Sequence, residues 1–192
     1  MSVFMKGQKC ELRVLEPKPE EVRAWTDGVM SGLTTKHLFT GSLPMRYIDV
    51  EHQWEKEREA GDILFAIYAI GDSHPDAGYS VKFVGTCGLH SHREIYRSWE
   101  LRILIFDPAA VGKGIGSEAV RLLTDYAFTR LNAHRVWLGV NEENKVAYEC
   151  YRKAGFNVEG ILRDEIFCWG RYVNAIRMAV LEREWKGPLA HA

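Results

Sequence analysis

The middle of the chain has the two-residue period of a β-strand. Within 96–106, alternate positions are occupied by Trp99, Leu101, Ile103 and Ile105. Successive side chains of a strand point to opposite faces of a sheet, so these four residues are expected to share one face. The pattern predicts a strand that ends at Asp107-Pro108.

A helical period begins a few residues later. Within 115–131 the apolar residues recur along one stripe, which predicts an amphipathic helix whose apolar side packs on the core. Charged residues stand between them, and we expect Glu118, Arg121 and Asp125 to face away from that core.

The same patterns predict the remaining elements. Strands are expected at 10–15, 63–70, 79–90, 96–106 and 135–140, with two more after 157 joined by a turn at 169–171. Helices are expected at 20–30, 49–60, 115–131 and 143–154, and a turn-rich loop at 71–78. The strands come in hairpin-like runs with helices between them. We therefore expect an α/β (α+β) fold, with a mixed central sheet of about six to seven strands flanked by about four helices.

The bulk composition limits the classes of protein. A length of 192 residues suits one domain over 1–192, with 187–192 expected to be frayed. The formal net charge of -1 lacks the basic excess of a protein that binds nucleic acid. No apolar run is long enough for a membrane span or a signal peptide, so we expect no membrane partner and a cytoplasmic location. The 4 cysteines form no CxxC pair, which indicates neither a zinc site nor a disulfide framework.

A glycine-rich turn stands between the predicted strand and helix of 96–131. Its residues are Val111, Gly112, Lys113, Gly114, Ile115, Gly116 and Ser117. Glycines let the backbone approach a ligand, and free N–H groups at a helix start favour a phosphate. The spacing matches neither the Walker loop nor the dinucleotide fingerprint. The alternative is a glycine-rich connection without a ligand.

A second set of residues lies on the helix predicted at 143–154. Asn144, Ala147 and Tyr151 are spaced to share one face, where a small alanine leaves room for a ligand. Asn144 could hydrogen-bond an amide, and Tyr151 offers a phenol. The alternative is that Ala147 and Tyr151 are core residues.

Together the two motifs resemble the GNAT superfamily of acetyltransferases. The resemblance covers 99–156, and the continuation through 159–185 is similar to the branch of ribosomal-protein N-terminal, spermidine and small-amine acetyltransferases. One departure is Val111, where the superfamily usually has arginine or glutamine.

The resemblance implies acetyl transfer from acetyl-CoA to a primary amine of a small molecule or a protein N-terminus. Its diphosphate would lie on 111–117, and its pantetheine would follow the strand residues Ile103, Leu104, Ile105 and Phe106 and the helix face of Asn144, Ala147 and Tyr151. No third ligand stands near His90 and His92 in the sequence, so we expect no metal.

The same resemblance assigns two catalytic roles. Tyr151 would be the general acid that protonates the leaving thiolate. Glu100 would be the general base, acting through a water. The alternative for Glu100 is an exposed residue paired with Arg102.

Other residues keep several interpretations. His90 and His92 share a strand face and could form a metal pair, supply a general base or form a polar face near the acceptor. In the amino-terminal region, where this family places its acceptor, we expect core packing for the aromatic residues and solvent exposure for the histidine. The residues concerned are Trp25, His37, Phe39 and Tyr47.

Two other classes of function remain open. One is a non-catalytic acyl-CoA-binding module, which would keep the glycine turn without the chemistry. The other is a different nucleotide-binding domain. The identity of the amine and the assembly, with a homodimer as one candidate, are not determined by the sequence.

Overall fold

A computed structural model describes residues 2–32, 36–37, 44–74 and 78–187. These residues contain one mixed sheet of 8 strands in the order β1-β2-β3-β4-β5-β6-β8-β7. The strands are β1 (Val3–Lys6), β2 (Cys10–Val14), β3 (Ile63–His74), β4 (Gly78–Arg93), β5 (Ser98–Ile105), β6 (Arg135–Asn141), β7 (Asn157–Cys168) and β8 (Arg171–Leu181). The α-helices are α1 (Pro19–Met30), α2 (Tyr47–Glu59), α3 (Ile115–Arg130) and α4 (Lys145–Lys153).

The predicted mixed α/β fold is confirmed, but the sheet has 8 strands rather than six or seven. The additional strand is β1, which has only 4 residues and exposes Val3 and Phe4. Such a short segment is below the length at which alternation can be recognised. The predicted loop at 71–78 is largely strand, because the ladder between β3 and β4 continues to the pair His74↔Gly78. Residues 75–77 and 188–192 lie outside the described parts of the chain.

Hydrophobic cores lie on both faces of the sheet. The larger core contains Leu123 of α3 and Phe156, with Leu101 and Ile103 of β5. The smaller core contains residues of α1 and α2 together with Phe106. The alternation predicted for 96–106 is therefore confirmed, since consecutive residues of β5 serve different cores.

β5 and β6 form a parallel pair that is unusually short. Their register consists of Ser98↔Arg135, Trp99↔Val136 and Glu100↔Trp137. Beyond Glu100, β5 continues against β4, while β6 stays paired with β8 as far as Asn141. The two strands therefore separate in the middle of the sheet.

The expectation that Glu118 faces away from the core is wrong. Its carboxylate is buried and accepts hydrogen bonds from the backbone N–H groups of Gln8 at 3.0 Å, Lys9 at 2.7 Å and Cys10 at 2.9 Å. A strand-to-strand turn has unpaired N–H groups that need acceptors. The Glu118 carboxylate is the acceptor for these groups, and it thereby attaches the β1–β2 turn to the first turn of α3.

We expect Glu118→Ala to lower the free energy of unfolding by about 2 kcal/mol, because three backbone donors lose their acceptor. Urea unfolding of both proteins measures the change. The exposed Glu55→Ala on α2 is the matched control and should change the free energy by less than about 0.5 kcal/mol. Equal effects of the two substitutions would contradict the role of Glu118.

Candidate active site

A cleft of about 470 Å³ opens where β5 and β6 separate. It receives residues from both faces of the sheet, since α1 and α2 contribute on one side and α4 on the other. Along the β5 side facing β6, residues 101–105 have no strand partner among the described residues. An extended ligand could therefore add its amide groups to this edge, as a further strand would.

Six residues predicted from the sequence line this cleft. They are Glu100, Ile103, Leu104, Asn144, Ala147 and Tyr151. The strand β5 and the helix α4 that carry them are distant in sequence, and the fold brings them to one cleft.

Other predicted cofactor contacts lie outside the lining of the cleft. Ile105 packs beside the glycine turn, with a side-chain carbon 3.7 Å from the position of a Cβ on Gly116. The backbone N–H of Phe106 donates to the carbonyl of Val84 at 3.0 Å, and its ring is buried against Phe83. Phe106 is thus engaged within the protein, and its contact with a cofactor stays a prediction.

The turn at 111–117 has the backbone geometry of an anion site. Gly112 and Gly114 have φ of 79° and 82°, in the left-handed region that favours glycine. The first helical hydrogen bond runs from the N–H of Glu118 to the carbonyl of Gly114, at 3.0 Å. The N–H groups of 112–117 donate to no other residue that the structure describes. Val111 is exposed and adds only its backbone.

A lysine missed by the sequence analysis lies beside this turn. The Lys9 ammonium donates to the carbonyl of Lys113 at 3.2 Å. It also lies 2.7 Å from the position of a Cβ on Gly114. The hydrogen bonds of the β1–β2 turn to Glu118 hold Lys9 there. No local sequence signal predicts this long-range contact.

Tyr151 is positioned by the short helix α4. The Asn144 side chain begins this helix by accepting a hydrogen bond from the N–H of Ala147 at 3.1 Å. The oxygen of Asn144 is therefore used by the helix cap, which leaves its NH₂ group for a ligand. Gly155, with φ of 94°, follows the end of the helix.

The Tyr151 hydroxyl stays protonated at neutral pH. Burial raises the pKa of Tyr151, and the neighbouring Cys150 raises it further. The hydroxyl has no hydrogen-bond partner among the described residues. The side chain nevertheless lines the cleft, so the phenol faces the space that a ligand would occupy.

Glu100 forms the ion pair with Arg102 that the sequence gives as its alternative, and its role as a general base stays a prediction. Its carboxylate accepts a hydrogen bond from the Arg102 guanidinium at 2.9 Å, and both side chains line the cleft. The hydrogen bond from Arg102 to Glu100 raises the pKa of Arg102 against an opposing effect of burial, and the charges of Glu57 and Asp62 raise it further. Glu100 is thus both ion-paired and part of the site.

His90 lies in the cleft with a carboxylate partner. Its side chain is buried, and Nδ1 is 2.8 Å from Oδ2 of Asp62. The structure does not describe the side chain of His92. Among the described residues, no group of three or more His, Cys, Asp and Glu side chains could hold a metal ion.

The amino-terminal residues differ from expectation in part. Trp25 is a core residue as expected, but it also lines the cleft and donates to Thr86 at 3.0 Å. Tyr47 is exposed rather than in the core, because its hydroxyl donates to Asp27 at the surface. His37 lines the cleft instead of facing open solvent, and burial lowers its pKa. Phe39 lies outside the described residues.

The match to a protein-family model covers residues 13–157 and corresponds to the acetyltransferase (GNAT) domain. The chain belongs to the GNAT acetyltransferase family. None of the helices among the described residues is long and apolar enough to cross a membrane.

Two curated relatives provide further comparisons. The spermidine N(1)-acetyltransferase of Escherichia coli (strain K12) is 43% identical over 91 residues, which are 47% of this chain and 48% of that protein. A ribosomal N-acetyltransferase-like protein of Bacillus subtilis (strain 168) is 30% identical over 109 residues, 57% of this chain and 59% of that protein. The chain thus spans about half the length of the curated relatives it matches.

A solved GNAT structure extends over nearly the whole chain. Spermidine N-acetyltransferase from Vibrio cholerae, in complex with CoA and spermine, has a TM-score of 0.77 at 27% identity. The superposition covers 93% of this chain and 98% of that chain.

Proposed function

We propose that this chain is an acetyl-CoA-dependent N-acetyltransferase that acetylates a primary amine of a small molecule. The observation that carries the proposal is the cleft between the separated strands β5 and β6, with the phenol of Tyr151 facing it. Family membership and the structural similarity to a protein that binds CoA and spermine support the proposal.

Two backbone features would hold the cofactor. The N–H groups of 112–117 would bind the diphosphate, helped by the positive end of the α3 dipole. The free edge of β5 would pair with the pantetheine amides, beside Ile103 and Leu104. Ala147 leaves room for the pantetheine between α4 and this edge. Side-chain contacts from Val111, Lys113, Ile115 and Ser117, like those of Ile105 and Phe106, stay predictions.

Tyr151 is proposed as the general acid. Bound acetyl-CoA supplies the thioester, and the acceptor amine donates the electron pair that forms the new C–N bond. As the C–S bond breaks, Tyr151 gives its proton to sulfur and regains one from the acylated nitrogen. The net reaction converts an ammonium and a thioester into an amide, a thiol and one released proton, so a base is needed as well.

The acceptor is proposed to be a small cationic amine such as a polyamine. The carboxylates of Glu57, Glu100 and Glu165 line the cleft and would attract ammonium groups, although Arg102 and Arg177 line it too. The similarity to spermidine acetyltransferases supports this class. A protein N-terminus is the second candidate acceptor, favoured by the ribosomal N-acetyltransferase-like relative. A homodimer stays a prediction.

Release of free thiol from acetyl-CoA tests the function. We expect release with spermidine or spermine and less with an amino acid, an amino sugar or a peptide N-terminus. If the peptide alone supports release, the second acceptor class replaces the first. If CoA raises the melting temperature but no amine releases thiol, the chain is a non-catalytic acyl-CoA-binding module.

We expect Gly114→Glu to abolish CoA binding, because it places a negative charge at the diphosphate site. Thermal-shift titration with CoA measures binding. Gly114→Ala is the matched control, since it introduces the strain of a side chain at φ 82° without the charge. It should retain measurable binding. Binding of CoA to Gly114→Glu at wild-type affinity would show that the turn does not hold the diphosphate.

We expect Tyr151→Phe to lower kcat about 100-fold, because the departing sulfur loses its proton donor. The Kd for CoA should change by less than about twofold, since the ring is retained. Steady-state kinetics and CoA titration measure the two quantities. Tyr148→Phe on the same helix is the control and should keep wild-type kcat. An unchanged kcat for Tyr151→Phe would remove this residue from the mechanism.

A further inference from the structure

A histidine that lines the cleft on the side of α1 and α2 is paired with a carboxylate. His90 is on β4 and is 5% exposed, with its Nδ1 at 2.8 Å from Oδ2 of Asp62. Asp62 stands between α2 and β3, where its backbone N–H donates to the carbonyl of Glu57 at 3.0 Å. The positions of His90 and Asp62 are therefore both determined by the packed secondary structure around them.

The pairing determines which ring nitrogen is free. A carboxylate accepts hydrogen bonds, so in the neutral ring Nδ1 carries the proton and Nε2 keeps its lone pair. Nε2 lies 2.7 Å from the position that a Cβ on Gly88 would occupy, and Gly88 also lines the cleft. The glycine thus leaves room for the ring edge that carries Nε2. Nε2 has no hydrogen-bond partner among the described residues. It is not one of the side-chain atoms that are both fully buried and without a partner.

Glu100 lies directly opposite His90 in the pairing of β4 with β5. Its carboxylate accepts a hydrogen bond from the Arg102 guanidinium at 2.9 Å. A charged carboxylate attracts an ammonium group, whereas an imidazole is the side-chain type that exchanges protons near neutral pH. Neighbouring positions on two paired strands thus offer an attracting charge and a proton acceptor.

We propose that His90, oriented by Asp62, is the group that takes the proton from the acceptor ammonium, and that Glu100 attracts and positions this ammonium. The inference rests on the proposed N-acetyltransferase function. The N–H bond of the ammonium breaks, a bond from Nε2 to hydrogen forms, and the freed electron pair attacks the thioester carbon. Asp62 stabilises the resulting imidazolium, which returns its proton to water when the products leave.

The charged groups around His90 limit how its pH dependence is interpreted. Glu57 from α2 and Glu100 and Arg102 from β5 line the cleft, and Asp62, in the turn before β3, contacts Nδ1 of His90. His37 also lines the cleft, with its pKa lowered by burial. A change in kcat between about pH 6 and 8 must therefore be assigned between His90 and His37.

The test is the pH profile of kcat between pH 5.5 and 8.5, with a saturating amine identified by thiol release. In the wild type, kcat should fall tenfold per pH unit on the acid side, because a protonated His90 cannot accept a proton. His90→Gln should lower kcat about 100-fold at pH 8 and remove the acid limb. Asp62→Asn should lower kcat at least tenfold, since the ring loses its orienting charge.

Three further variants separate the roles. His37→Gln should keep the acid limb. Glu100→Gln should raise KM for the amine more than it lowers kcat, and should also keep the limb. The exposed His52→Gln is the control and should match the wild type. Should His90→Gln fail to fold, Asp62→Asn is the second test: its acid limb should move to lower pH, because the imidazolium loses the carboxylate that stabilises it, and an unmoved limb would contradict the proposal.

The outcomes distinguish a failure of the proposed role of His90 from a failure of the proposed N-acetyltransferase function. A wild-type acid limb that persists in His90→Gln, or disappears in Glu100→Gln or His37→Gln, would overturn the role of His90 while leaving the acetyltransferase intact. A wild-type protein that releases no thiol with any amine would overturn both. Circular dichroism and the CoA-induced thermal shift show whether each variant keeps its fold and cofactor site.

Discussion

The separation of β5 from β6 is the constraint on which the rest of the site depends. Pairing between these parallel strands stops at Glu100↔Trp137 because each strand is held by another partner. β5 stays in register with β4 to Ile105, and β6 stays in register with β8 to Asn141. Unpaired backbone groups inside a sheet are costly unless something pairs with them. The separation therefore provides both a cleft and an edge for an extended ligand.

The alternation along β5 places successive site residues on opposite faces of the sheet. Ile103 packs with the core under α3 and α4, on the side that carries the glycine turn and Tyr151. Glu100 and Arg102 have the opposite parity, as does Leu104, which packs with the core under α1 and α2. His90 lies opposite Glu100 in the pairing of β4 with β5. Cofactor and acceptor would thus approach the same strand from different sides, which suits direct transfer between them.

Much of the fold and part of the site follow from local patterns in the sequence. The strand and helix around 96–131 were predicted because their apolar periods are long and regular. Tyr151 could be placed on the face of Ala147 because residues four apart on a helix share a face. Strand β1 is too short, at 4 residues, to be recognised from its pattern. The expectation for Glu118 follows from the rule that a charged residue on a helix is usually solvated, and it is wrong because Glu118 is buried. Here the burial of Glu118 is compensated by backbone donors from the β1–β2 turn.

Local sequence patterns are enough to predict the class of fold, the glycine turn and the helix that carries Tyr151, because each pattern reflects interactions within a few residues of chain. Only the folded chain brings Lys9 to the turn, pairs His90 with Asp62, and places residues of β5 and α4 around one cleft. These contacts connect residues that are 104 and 28 positions apart. Their formation depends on how the strands are ordered and where pairing stops, and those are properties of the assembled sheet that no local pattern contains.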